Sequence, residues 1–156
     1  MTIEIPVKLH VENYLRFRYR QYPYNISTTD AVGVCLYALL MPKPRKKYKY
    51  TIRKRNFKMT TFSVRLNRHK GMGQLVWLSP YREKLFNDYV SNMMWEELLG
   101  IIAYLKLSNE NVNIDRIIKD FEKKYSLADT NLGFDTLKRR YYRYVKNNET
   151  LITVGV

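Results

Sequence analysis

Twelve cationic side chains fall between residues 43 and 70: Lys43, Arg45, Lys46, Lys47, Lys49, Arg53, Lys54, Arg55, Lys58, Arg65, Arg68 and Lys70. No acidic residue occurs from position 31 to position 82. A solvated surface segment mixes both signs, because crowded like charges repel one another. Cations segregated in this way suit a polyanion whose phosphates they can track. The whole chain carries +14, from 28 Lys and Arg against 14 Asp and Glu, so everything outside this segment amounts to only +2. The positive charge belongs to one stretch and not to the surface at large.

A second, smaller cluster is Lys138, Arg139, Arg140, Arg143 and Lys146. It interleaves with Phe134, Leu137, Tyr141, Tyr144 and Val145, whose spacing predicts an amphipathic helix over 134–147. Arg139, Arg143 and Lys146 then follow one another at spacings of four and three along its outer face. Arginines so placed suit phosphate contacts or bidentate contacts to guanine. Apolar stripes over 80–107 and 113–125 predict two preceding helices, the set that a helix–turn–helix reader needs, although the 126–133 loop exceeds the compact turn. Tyr48, Tyr50 and Phe57 in the basic segment, and Tyr142 in the second cluster, also suit stacking on unpaired bases.

Catalytic equipment is sparse. His10 and His69 are the two histidines, which excludes a three-histidine metal site, and no glycine-rich loop ending in Gly-Lys-Ser or Gly-Lys-Thr is present. Cys35 is the single cysteine, so one chain holds neither a disulfide nor a cysteine metal site; within the apolar run 31–36 it reads as a buried, inert thiol. Glu96, Glu97, Asp115, Asp120 and Glu122 are the carboxylates that a metal-dependent nuclease or recombinase would draw on, but they interleave with apolar stripes as solvated helix faces do. The expectation is a protein without catalysis, cofactor or metal.

The elements that must position these residues read as an α+β fold. Ile3, Ile5, Val7 and Leu9 alternate with polar positions in a strand, and Pro6 places it at a sheet edge. A helix over 10–22 turns Val11, Tyr14, Leu15 and Tyr22 inward and Arg16 and Arg20 outward, ending at Pro23. Ser27 is the expected N-cap of a buried helix reaching Met41. Phe62, Val64 and Leu66 alternate with Ser63, Arg65 and Asn67, and the glycines at 71 and 73 turn this strand into a return strand over 74–78, a basic β-hairpin. Ser79 and Pro80 open the long helix, with Gly100 as a point of division. The tail 151–154 reads as a short strand. The N-terminal strand–helix–helix unit and hairpin (1–78) are expected to pack on a C-terminal three-helix bundle (79–156), as two domains or as one continuous domain. The longest apolar run, 31–41, is too short to span a bilayer, and the N-terminus lacks a signal-peptide pattern. The cytoplasm is the default compartment, with no membrane partner.

Through the 43–70 stretch and the run Leu137-Lys138-Arg139-Arg140-Tyr141-Tyr142-Arg143-Tyr144, the chain resembles small basic DNA-binding proteins of bacteriophages and integrative elements. Its opening strand and two helices resemble the arm of a ribbon–helix–helix protein. The resemblance implies a DNA-binding accessory or regulatory factor, with DNA preferred over RNA as partner and a homo-oligomer compatible with it. The alternatives are an RNA- or single-strand-binding protein, and a virion structural or assembly protein whose basic surface meets an acidic partner.

Overall fold

The computed structural model describes residues 1–42, 58–66, 76–108 and 111–153. In chain order the elements are β1 (Thr2–Lys8), α1 (Leu9–Tyr19), β2 (Tyr24–Asn25), α2 (Ala31–Leu39), β3 (Met41–Pro42), β4 (Met59–Arg65), β5 (Val76–Trp77), α3 (Pro80–Ser108), α4 (Ile114–Lys124) and α5 (Phe134–Thr153). The α+β class and the C-terminal helical region are as expected from the sequence. No helix among the described residues is long and apolar enough to cross a membrane.

Matching alternation explains the main strand pair. β1 runs antiparallel to β4 with Ile5 opposite Phe62 and Ile3 opposite Val64, so the apolar residues of both strands share one face. Ile5, Val7, Phe62 and Val64 are at most 1% exposed. Short β2 joins the other edge of β4 in parallel, giving the order β1-β4-β2. Pro6 therefore sits on an edge strand, where its missing N–H interrupts no ladder. Asn87 of α3 occupies the flank of that edge. Its Oδ1 accepts from the Lys8 N–H at 2.7 Å and its Nδ2 donates to the Pro6 carbonyl at 3.2 Å. The side chain, 3% exposed, is thus a buried amide with its polar atoms satisfied.

Among the described residues the two strands expected to form a hairpin do not pair with each other: β5 pairs antiparallel with β3. A strand has two edges, and β4 gives one to β1 and the other to β2. Ser63 also departs from the simple alternation. It is buried on the polar side of β4 because the Tyr22 hydroxyl meets it at 2.7 Å and it donates to the Glu4 carboxylate.

The first helix ends earlier than Pro23 suggests. Arg20 takes the left-handed conformation, φ 45°, and its N–H caps the Arg16 carbonyl. Val11, Tyr14 and Leu15 are fully buried as their spacing predicts, whereas Tyr22 lies beyond the helix and is 43% exposed, with the Arg16 guanidinium 3.9 Å above its ring. The N-cap of α2 is Asp30 and not Ser27. Its carboxylate accepts from the Gly33 N–H at 2.9 Å and from the Tyr24 and Tyr19 hydroxyls at 2.7 and 3.0 Å. Three donors converge on one anion, while the Ser27 hydroxyl serves only a local turn to the Thr29 N–H. A Cβ on Gly33 would lie 1.8 Å from the Ser27 carbonyl oxygen, so only glycine fits this close approach. The helix itself is buried on one side only: Val32 and Leu36 are fully covered, and Val34 is 52% exposed.

Ser79 caps α3 through the Arg82 N–H at 3.4 Å, and the helix continues through Gly100 without a break. Residues 151–153, expected as a strand, continue α5, because neither glycine nor proline interrupts the chain from Phe134 to Thr153. Two compact units divide the chain, Met1–Trp95 and Glu96–Val156, the division falling inside α3. The core of the first is the sheet face with Tyr14, Leu15, Leu36 and Phe86. That of the second is Leu98, Ile102, Ile118, Phe121, Leu127 and Leu137.

Candidate nucleic-acid interface

The second unit carries the smaller cationic cluster on α5, and α4 fixes how that helix is held. Asn113 opens α4 by accepting from the Arg116 N–H at 3.0 Å, and Ile118 and Phe121 turn inward at helical spacing. Past the helix, the Tyr125 hydroxyl donates to the Glu97 carboxylate. Ser126 then reverses the chain in the left-handed region, φ 52°. The Leu127 N–H bonds the Glu122 carbonyl at 2.9 Å, the Thr130 N–H bonds the Leu127 carbonyl at 2.9 Å, and the Leu132 N–H bonds the Thr130 hydroxyl at 3.1 Å. The loop is longer than a compact turn, yet it is hydrogen-bonded along its length and anchored by fully buried Leu127.

Gly133 precedes α5 and has no side chain to cap it. Glu122 of α4 supplies the missing acceptor, its Oε1 taking the Phe134 N–H at 2.7 Å beside the positive end of the helix dipole. One turn on, the Lys138 ammonium meets Asp115 of α4 at 2.5 Å, which favours its charged form and raises its pKa. The Lys119 ammonium stands 5.3 Å from the Phe134 ring centre. With Leu137 and Tyr141 buried on the inner side, the rotation of α5 about its axis is set.

That rotation sorts the candidate residues. Arg139, Arg143 and Lys146 are exposed on the outer face, as their spacing predicts. Lys138 is half-exposed and engaged by Asp115. Arg140 turns partly into the protein, where burial lowers its pKa from the usual arginine value. Tyr144 is on the outside rather than the apolar face, 45% exposed, and Tyr142 is 50% exposed. Asp135, Lys138, Arg139 and Tyr142 line a shallow cleft of about 500 Å³. Sequence reasoning had passed over Asp135; the signal was its place four residues before Arg139. In the first unit, Lys58 and Arg65 bracket β4 and are both exposed. Lys43, Arg45, Lys46, Lys47, Lys49, Arg53, Lys54, Arg55, Arg68 and Lys70 lie outside the described residues, as do Tyr48, Tyr50 and Phe57.

Three of the five candidate carboxylates are engaged in structural contacts, while Glu96 and Asp120 are exposed. Glu97 meets Lys124 at 3.0 Å as well as Tyr125, Asp115 holds Lys138, and Glu122 caps α5. Among the described residues no three of His, Cys, Asp and Glu come together as a metal site. His10 is buried with its Nε2 3.0 Å from the Ser91 hydroxyl; burial, aided by Lys8, pushes its pKa down to about 4. Cys35 is half-buried, and burial raises its thiol pKa. No family model, curated protein or solved structure matches the chain.

Proposed function

We propose that the protein binds nucleic acid, duplex DNA foremost, without catalysing a reaction on it, as a cytoplasmic accessory or regulatory factor of a phage or mobile element. The observation that carries this reading is the outer face of α5: Arg139, Arg143 and Lys146 exposed in line on a helix held by Glu122 and Asp115. A helix with one face anchored and a cationic face outward can lie in the major groove and meet the phosphates beside it. The acid-free stretch 43–70 adds a second source of positive charge. Equilibrium titration of duplex DNA, single-stranded DNA and RNA, each at low and at physiological salt, tests the proposal. Duplex DNA is expected to bind tightest, with affinity falling by orders of magnitude across that range if about six or more phosphates are contacted. Failure to bind any of the three at low salt overturns it. The exposed ring of Tyr142 among these cations favours a second reading, stacking on unpaired bases. Under that reading single strands outcompete duplex, and Tyr142→Ala weakens binding more than loss of one lysine.

A further inference from the structure

The first two turns of α5 differ in chemistry from the turns that follow. The cleft there is lined by two cations, one aromatic ring and one carboxylate, that of Asp135. A phosphate offers only acceptors, and a carboxylate on the cleft wall repels it. Base edges in the major groove offer both donors and acceptors: the cytosine amino group is a donor, while guanine O6 and N7 are acceptors. We infer that this face reads a G·C base pair, Asp135 accepting from the cytosine amino group and Arg139 donating to guanine O6 and N7. The inference rests on the duplex-DNA reading and names what that site recognises.

Three features support it. Asp135 is the second residue of α5 and Arg139 lies one turn on, the end of a groove-bound helix that reaches base edges. The Arg139 Nε donates to the Asp135 backbone carbonyl at 3.2 Å, which orients the guanidinium and leaves Nη1 and Nη2 for a bidentate contact. Lys138 makes its direct ion pair with Asp115 and feels Asp135 only as a nearby charge, so the Asp135 carboxylate keeps its acceptors for a ligand. Arg143 and Lys146, one and two turns further, suit the flanking phosphates. Asp135 weakens attraction to any polyanion, so its contribution is choice of sequence rather than affinity.

The test uses the full chain and duplexes of one length: alternating G·C, alternating A·T, inosine·C, and G·C with 7-deazaguanine. Inosine keeps the major-groove edge of guanine, and 7-deazaguanine removes its N7 acceptor. Wild type is expected to prefer G·C over A·T by about tenfold, the order of one bidentate contact. It should treat inosine·C as G·C and fall toward the A·T level on 7-deazaguanine. Asp135→Ala should bind overall as tightly or more tightly while its preference for G·C falls by the share that the cytosine contact supplies. Asp135→Asn, which keeps an acceptor oxygen, should lose less of it, with circular dichroism unchanged in both because Asp135 is exposed. Equal binding of G·C and A·T by wild type, or an intact preference in Asp135→Ala, overturns the inference while leaving duplex binding standing. Binding to no nucleic acid overturns the parent reading and this one together.

Discussion

The backbone N–H of Phe134 donates to the Glu122 carboxylate at 2.7 Å, so the first turn of α5 is capped from twelve residues upstream. The contact ties the outer cationic face to α4 and supplies the acceptor that Gly133 lacks. Glu122→Ala should lower stability by about 1 kcal/mol, the usual effect of losing a cap, in urea denaturation. Glu122→Gln keeps an acceptor oxygen and should recover much of the loss; identical unfolding midpoints for all three proteins would show that the cap contributes nothing.

Stability should fall on mild acidification because of His10. Ser91 donates its hydroxyl to the Asn87 carbonyl at 2.7 Å, so it accepts from His10 Nε2, and the buried imidazole is neutral. In the unfolded chain the ring takes a proton below about pH 6.5, whereas in the folded protein it does so only near 4. The contribution is therefore complete above pH 6.5 and is lost as the pH falls toward 4, by roughly 3 kcal/mol at most. Urea midpoints of wild type and His10→Gln at pH 7.5 and 4.5 measure it, and the variant should show the smaller drop.

Gly33→Ala should be among the most damaging small substitutions in the first unit. Its Cβ would meet the Ser27 carbonyl oxygen at 1.8 Å, and backbone must shift to admit it. A loss of roughly 1–3 kcal/mol is expected. The same change at Gly100, where a Cβ has nothing within 4 Å, should be neutral or stabilising by up to about 1 kcal/mol. Thermal melts of the two variants make the comparison.

For binding, Arg143→Ala and Lys146→Ala should each lower the slope of log affinity against log salt by about one per phosphate contact removed, whereas Arg139→Ala should chiefly relax the preference for G·C. Arg140→Ala should leave that slope nearly unchanged, because Arg140 is half-buried. A slope insensitive to both Arg143→Ala and Lys146→Ala would remove α5 from the phosphate interface.

What was legible in the sequence was whatever depended on local pattern. The strand at Ile3, Ile5 and Val7, the long helix from Pro80 and the outward line Arg139–Arg143–Lys146 all follow from a period of two or of 3.6. What was not legible depended on partners distant in sequence. β4 looked like half of a hairpin because its neighbour in sequence was the obvious mate, yet β1 carried the better-matched apolar face. Ser27 looked like a cap until Tyr19, Tyr24 and Gly33 converged on Asp30. The ten residues of the 43–70 set outside the described portion keep only their sequence argument.

The Asn87 amide has a consequence for how copies of this chain can meet. By taking the Lys8 N–H and the Pro6 carbonyl it occupies the positions at which an incoming strand would dock, and proline denies a third. Exposed sheet edges invite strand addition and fibril growth, and this one is stoppered over its end, from Pro6 to Lys8. The opposite edge offers the two residues of β2. β1 is therefore blocked at its Pro6–Lys8 end against the intermolecular ribbon that its place in the sequence suggested.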